Sequence, residues 1–305
     1  MLRIFRSGFV SLVGRPNTGK STLLNVLIGQ KLAIVADKPQ TTRTSIQGVL
    51  TLPGEAQVIF VDTPGIHRAD TALNKRMMDK VRAALEERDL LLFLVDASQA
   101  FGEEDRRAID ILNKTSTSVV LVLNKVDLLK DKGVLLPLIE HYKAAYEFVD
   151  YVPVSAVKGL GLDELRRVIL EGLPEGPAYF PDDYVTDQPE RFLAAELIRE
   201  KVLHATRQEV PHSVAVAVDR WEQAPQITRI YATIRVERPG QKAIVIGSHG
   251  AGLKKIGTLA RQEMERLFGI RIYLSLHVRV QPGWREKAIF LDALDWRTMA
   301  GEDDL

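Results

Sequence analysis

The run Val10–Leu24, VSLVGRPNTGKSTLL, limits what this chain can fold into more than any other stretch. A short apolar segment, Phe9–Val13, breaks at Gly14, and an apolar-spaced helix resumes after Lys20. Between them, Gly14-Arg15-Pro16-Asn17-Thr18-Gly19-Lys20-Ser21 matches G-x-x-x-x-G-K-[ST] at every fixed position. Glycines at both ends let the backbone curl so that successive N–H groups face an anion. The helix that opens behind them adds unpaired amides and a favourable dipole. Lys20 brings a point charge to the terminal phosphates, and the Ser21 hydroxyl is a ligand for Mg²⁺. Thr22, in the first helical turn, is counted with this phosphate-binding group. A chance glycine turn would not sit between a strand and a helix in this order. The loop by itself does not choose the nucleotide.

At 305 residues the chain is too long for one small core, so two domains are expected. A net charge of +1 gives no global argument for nucleic acid, and DNA is not expected as a partner. The absence of cysteine excludes disulfides and thiolate chemistry. No apolar run reaches the length of a membrane span, and Arg3 and Arg6 break up the N-terminus. A cytoplasmic protein is the simplest expectation.

From residue 1 to 173, short β-branched runs alternate with helical patterns, which predicts an α/β domain with a mostly parallel sheet flanked by helices. The runs are Phe9–Val13, Ser45–Thr51, Ala56–Val61, Leu90–Val95, Ser118–Leu123 and Tyr151–Val154. The second and third are joined by Leu52-Pro53-Gly54-Glu55, a tight hairpin. After the third comes Asp62-Thr63-Pro64-Gly65. A carboxylate at a strand end beside a phosphate loop can hold Mg²⁺, and the Gly65 amide can meet a γ-phosphate. Asn124-Lys125-Val126-Asp127 follows the fifth run. Asp127 can accept from N1–H and the exocyclic amine of guanine, a donor pair that adenine lacks. Asn124 can tie this loop to its neighbours, and the stem of Lys125 can cover the ring. Ser155-Ala156 follows the sixth run, with the Ala156 amide offered to the guanine oxygen.

These four ordered motifs, GRPNTGKS, DTPG, NKVD and SA, resemble the translation-factor-related class of P-loop GTPases. The resemblance implies GTP as substrate, GDP as product, and a switch threonine on Mg²⁺ with Ser21 and Asp62. Pro39-Gln40-Thr41-Thr42-Arg43 stands where that switch belongs; Thr42 is favoured and Thr41 is second. Lys20, Thr42 and Gly65 then carry the catalytic step. Many such enzymes place a water-orienting glutamine after the DxxG glycine, whereas here Ile66 follows, so slow intrinsic hydrolysis is expected. Asn17 resembles the asparagine that lets K⁺ replace an arginine finger in related GTPases. Equal turnover in sodium and potassium buffers would remove that reading.

Residues 174–189, dense in Pro, Gly and acidic groups, read as an ordered, irregular linker pinned by Tyr179, Phe180 and Tyr184. Residues 190–305 follow the order αββααβ, an α+β domain with helices on one face of a three-stranded sheet. Its central turn, Gly247-Ser248-His249-Gly250 within AIVIGSHGAGLKKIG, resembles the signature of a type II KH domain. Two glycines keep such a turn narrow enough for a nucleic-acid backbone. Lys254, Lys255 and Arg261 would extend the phosphate path, and the coda, Gln281-Pro282-Gly283-Trp284 with a helix to about Leu294, is read as packing on this core with Trp284 as its anchor. A GTPase domain joined to a C-terminal KH domain resembles the bacterial Era family over essentially the full chain. That resemblance implies binding to the 3′ end of 16S rRNA, a role in assembly of the 30S subunit, and peripheral association with the inner membrane. The alternative is a membrane-associated switch whose KH-like module docks a protein, and a second is an ATPase.

Overall fold

The computed structural model describes residues 5–38, 40–86, 88–207 and 210–292. Pro39 and the C-terminal end of the expected coda helix lie outside them. Two compact units emerge: the first holds residues up to Ala33, Thr42–Ala69 and Arg76–Asp187, and the second holds Ile34–Thr41, Asp70–Lys75 and the chain from Gln188.

The first unit carries six strands: β1 (Arg6–Gly14), β2 (Ile46–Leu52), β3 (Ala56–Asp62), β4 (Leu90–Asp96), β5 (Val119–Asn124) and β6 (Asp150–Pro153). They form one sheet in the order β2-β3-β1-β4-β5-β6. Only β2 runs antiparallel, paired with β3 from Ile46↔Asp62 to Leu52↔Ala56. Helices α1 (Lys20–Ile28), α2 (Ala72–Ala83), α3 (Glu103–Leu112), α4 (Leu135–Ala145) and α5 (Leu162–Gly172) complete the α/β pattern. Successive strand residues point to opposite faces. Leu92 and Leu94 therefore pack with Leu23 and Leu27 of α1. Leu91 and Phe93 pack with Val81 of α2, Ile109 of α3 and Leu138 of α4. This is why the inner strands read as unbroken apolar runs. Parallel pairing also brings the strand ends to one rim, with Leu12 opposite Asp62 and Asp96 opposite Asn124. Ligands of open α/β sheets bind at that rim.

The linker packs within this unit as far as Asp187. Ser7 N donates to Pro174 O (3.1 Å), Gln57 Oε1 accepts from the amides of Tyr179 and Phe180, and Val49 N donates to Val185 O (2.8 Å). Tyr179 meets Phe9 edge-on, and Phe180 stacks on Tyr184 at 4.6 Å.

In the second unit, α6 (Glu190–Ala205) and the short α7 (Val210–Ser213) precede β7 (Ala215–Ala224) and β8 (Ile227–Val236). Then come α8 (Pro239–Ile246), α9 (Ala251–Phe268), β9 (Ile272–Val280) and α10 (Ala288–Asp292). The sheet order is β7-β8-β9, antiparallel then parallel, with a bulge between Val218 and Arg220. Ile230, Ala232, Ile234 and Val236 alternate inward onto Ile198 of α6 and Ala260 and Met264 of α9. Helices thus cover one sheet face. Trp284 is fully buried, its indole N–H donating to Ser213 O at 3.0 Å. The sequence pattern did not foresee that Ile34 belongs to this core. Val35 N donates to Glu200 Oε1 (2.8 Å), and Arg199, 2% exposed, donates to the carbonyl oxygen of Thr41. No helix among the described residues is long and apolar enough to cross a membrane.

Candidate nucleotide and nucleic-acid sites

β1 delivers Gly14 to the rim, and α1 begins at Lys20 without a side-chain cap. Its first amides stay open to an anion. Lys20 is buried, and its Nζ donates to the carbonyls of Gly14 (3.1 Å) and Arg15 (2.8 Å). Burial lowers its pKa to about 8, against the opposing pull of Asp62. A buried ammonium whose hydrogen bonds among the described residues go to two neutral carbonyls gains strongly from an incoming phosphate.

The Asn124 amide threads between loops. Its Nδ2 donates to Thr18 O (2.8 Å), and its Oδ1 accepts from Ala156 N (3.0 Å). A Cβ on Gly19 would stand 2.2 Å from that Nδ2, so only glycine fits there. Asn124 therefore braces the phosphate loop against the Ser155-Ala156 loop. The Ala156 amide, expected to face the guanine oxygen, is instead already engaged by Asn124. Asp127 is exposed, and its Oδ1 accepts from Ser155 Oγ at 2.5 Å, which orients the carboxylate without neutralising it.

Two functional partners escaped the sequence reading. Asp96, at the end of β4, takes the Lys125 ammonium at 2.7 Å. Partial burial works against ionisation of Asp96, but the Lys125 and Ser98 hydrogen bonds hold its pKa below the ordinary carboxylate range. This pair fixes Lys125 beside the base loop. The signal was available, because β4 ends in aspartate as β3 does. The other is Asp105 at the start of α3, 3% exposed, which receives Arg15 Nη1 at 2.8 Å. The Arg15 guanidinium is thereby turned onto α3, so Arg15 offers a phosphate its backbone and not its charge. Pro16 and Thr18 likewise shape the loop, and Asn17 stands exposed in left-handed backbone (φ 62°).

Three oxygens meet beneath the loop. Ser21 Oγ lies 2.6 Å from Asp62 Oδ2 and 2.8 Å from Thr42 Oγ1, and Thr42 Oγ1 lies 3.3 Å from the same carboxylate. Asp62 Oδ1 is buried without a hydrogen-bond partner among the described residues. Burial raises the Asp62 pKa to about 6, although Lys20, Ser21, Thr42 and the Thr63 amide all pull it down. Hard oxygen donors and an orphaned buried carboxylate oxygen suit Mg²⁺. Thr41 faces elsewhere: its hydroxyl donates to Lys38 O (2.6 Å) and Ala36 O (3.2 Å).

Gly65 packs against the phosphate loop, where an added Cβ would stand 2.7 Å from Pro16 N. The next residue, Ile66, donates its amide to Gly14 O (3.0 Å) and buries its side chain with Val13 and Met78. It cannot orient a water. Gly65→Ala is expected to push the two loops apart. GTP affinity should fall about tenfold relative to GDP affinity if, as expected, only the triphosphate meets the Gly65 amide. Competition binding with both nucleotides reads this ratio.

In the second unit, Gly247 ends α8, and Gly250 opens α9. Ser248, His249, Lys254 and Lys255 are exposed around this turn. Ile244, 56% exposed on α8, adds an apolar contact that the motif alone did not mark. Arg261 is already engaged. It pairs with Glu265 one helical turn on (2.7 Å), so a phosphate there would compete with that carboxylate. The i,i+4 spacing of Arg261 and Glu265 was readable in the sequence.

Comparison with known proteins finds matches to both units. A family model described as a 50S ribosome-binding GTPase matches residues 9–125, and a KH domain model matches residues 209–285. An Era protein solved with MgGDPNP and nucleotides 1506–1542 of 16S ribosomal RNA is 41% identical, with a TM-score of 0.93, covering 96% of this chain and 99% of that one. An Aquifex aeolicus Era variant bound to GDP and aluminium fluoride is 41% identical with a TM-score of 0.91, covering 95% and 99%. The GTPase Era of Geobacter metallireducens is 51% identical over 294 residues, covering 96% of this chain and 98% of that protein. With strand-end motifs, KH turn and nearly every residue accounted for, the chain belongs to the Era family of GTPases.

Proposed function

We propose that this GTPase is a nucleotide-controlled RNA clamp. It binds 16S rRNA near its 3′ end through the KH turn and acts in assembly of the 30S subunit in the cytoplasm. The observation that carries this reading is the 41% identical Era structure, which holds MgGDPNP and nucleotides 1506–1542 of 16S rRNA in one complex. The KH turn of this chain supports it, with a narrow glycine path and Lys254 and Lys255 beside the first amides of α9.

The chain's own residues divide the work. Loop amides from Gly14 to Ser21 and the Lys20 ammonium hold the phosphates, and Asp127, set by Ser155, reads guanine. Ser21, Thr42 and Asp62 would hold Mg²⁺, which neutralises charge on the terminal phosphates. The Gly65 amide faces the γ-phosphate position. Ile66 is buried, so no side chain orients the water from that position, and slow intrinsic hydrolysis follows. The K⁺ reading rests on Asn17.

The coupling has a short covalent route. Thr41 counts with the second unit and Thr42 with the first, so the chain passes between units next to the switch threonine. A γ-phosphate that draws Thr42 onto the metal therefore pulls on a segment whose neighbours, through Arg199 and Glu200, belong to the KH-bearing unit. Crosslinking to ribosomal RNA in both nucleotide states tests the proposal. Crosslinks should concentrate at the 16S 3′ end and be stronger with a GTP analogue; crosslinks elsewhere, or none, would reject it.

A further inference from the structure

The helix-free face of the KH sheet carries a second set of groups that the glycine turn does not use. Strand alternation and register place Glu222, Arg229 and Tyr273 in one row, and Arg220, Tyr231 and Ser275 in the next. Thr233 and His277 form a third, and Arg235 and Arg279 a fourth. Tyr273 is 49% exposed, and its ring lies 6.1 Å from that of Tyr231, edge to face. The Arg220 guanidinium sits 5.5 Å from the Tyr231 ring. At one end of the face Arg235 stacks on Phe290, which occupies part of the fourth row. The acidic groups are spoken for: Glu222 pairs with Arg220, and Asp219 accepts from Thr233 Oγ1 at 2.7 Å. Arg229 and Arg279 are exposed and have no ion-pair partner among the described residues.

Two adjacent aromatic rings on an open sheet, bordered by unpaired guanidinium groups, suit a strand of nucleobases with its phosphates. Aromatic rings on a sheet stack bases regardless of sequence, and arginine meets the backbone. A KH turn clamps only about four nucleotides, so a longer RNA leaves segments in need of a second surface. The geometry points to a second single-stranded RNA site on the open face of β7-β8-β9, with Tyr273 and Tyr231 as stacking platforms and Arg229 and Arg279 as phosphate contacts. This site rests on the reading of the KH unit as an RNA binder. It is distinct from the groove at Gly247–Gly250, which α8 and α9 build on the opposite side of the sheet.

The test measures binding of the full chain to two single-stranded RNAs. One is about six nucleotides, enough for the glycine turn alone, and the other about twenty, enough for both surfaces. Tyr273→Ala is expected to weaken binding of the long RNA about tenfold and leave the short RNA unchanged. Tyr273→Phe, which keeps the ring, should bind both as the parent does. Arg229→Ala and Arg279→Ala should each lower the slope of log affinity against log salt by about 0.7 on the long RNA. Parent-like binding of the long RNA by Tyr273→Ala would overturn the site and leave the face to a protein partner. An equal loss in Tyr273→Phe would also overturn it. If the parent chain bound neither RNA, the KH reading itself would fail, which is a different result.

Discussion

Asp127→Asn is expected to lower GTP affinity by roughly 10²–10⁴-fold and to raise the relative affinity for xanthosine triphosphate. In the proposed base site the carboxylate would accept two charge-assisted hydrogen bonds from guanine, each contributing about 1.5–3 kcal/mol. An amide in its place turns one acceptor into a donor, which now opposes the guanine amine and matches the xanthine oxygen. Ser155 Oγ, 2.5 Å from Asp127 Oδ1, keeps the replacement in position, so the change is one of pairing and not of placement. Competition of labelled GTP by xanthosine and adenosine triphosphates measures it. Unchanged GTP affinity, or a switch to adenosine triphosphate, would remove Asp127 from the base site.

The second large effect concerns the KH turn. The double change Gly247→Asp with Gly250→Asp should cut affinity for a short single-stranded RNA about a hundredfold and leave GTP binding as it was. Both residues hold positive φ, at 70° and 80°: Gly250 is left-handed and Gly247, with ψ 177°, lies in a region reserved for glycine, so a side chain costs about 1–3 kcal/mol at each. A Cβ on Gly247 would stand 2.9 Å from Gly252 N, and each new carboxylate would face the incoming phosphates. Filter binding reads the RNA affinity, and nucleotide titration of the same preparation shows that the first unit is intact. Parent-like RNA binding by this variant would favour a KH-like module that docks protein.

The nucleotide site was legible in the sequence wherever the chemistry is carried by consecutive residues. The phosphate loop, Asp62–Gly65 and Asn124–Asp127 each demand fixed types at fixed spacing after a strand, and β-branched runs marked those strands. What escaped depends on neighbours distant in sequence. Arg15 meets Asp105 at the start of α3, and Lys125 meets Asp96, because the parallel sheet gathers the segments that follow its strands at one rim. Thr41 and Thr42 are indistinguishable as letters; the hydroxyl of one turns to Lys38 O and that of the other to Asp62. Segment 34–41 has no periodicity to show that it packs with α6, where Arg199 and Glu200 wait for its backbone groups. Arg261 carries an i,i+4 partner at Glu265 that an RNA phosphate would have to replace.

Linkage gives the most direct test of the whole account, because an effect of nucleotide on RNA must equal the effect of RNA on nucleotide. Calorimetric titration of a 16S 3′-end oligonucleotide into the full chain, saturated first with GDP and then with a non-hydrolysable GTP analogue, measures that quantity. Affinity with the analogue should exceed affinity with GDP by about 5–150-fold, and RNA should tighten the analogue by the same factor. Equal RNA affinities in the two nucleotide states would contradict it.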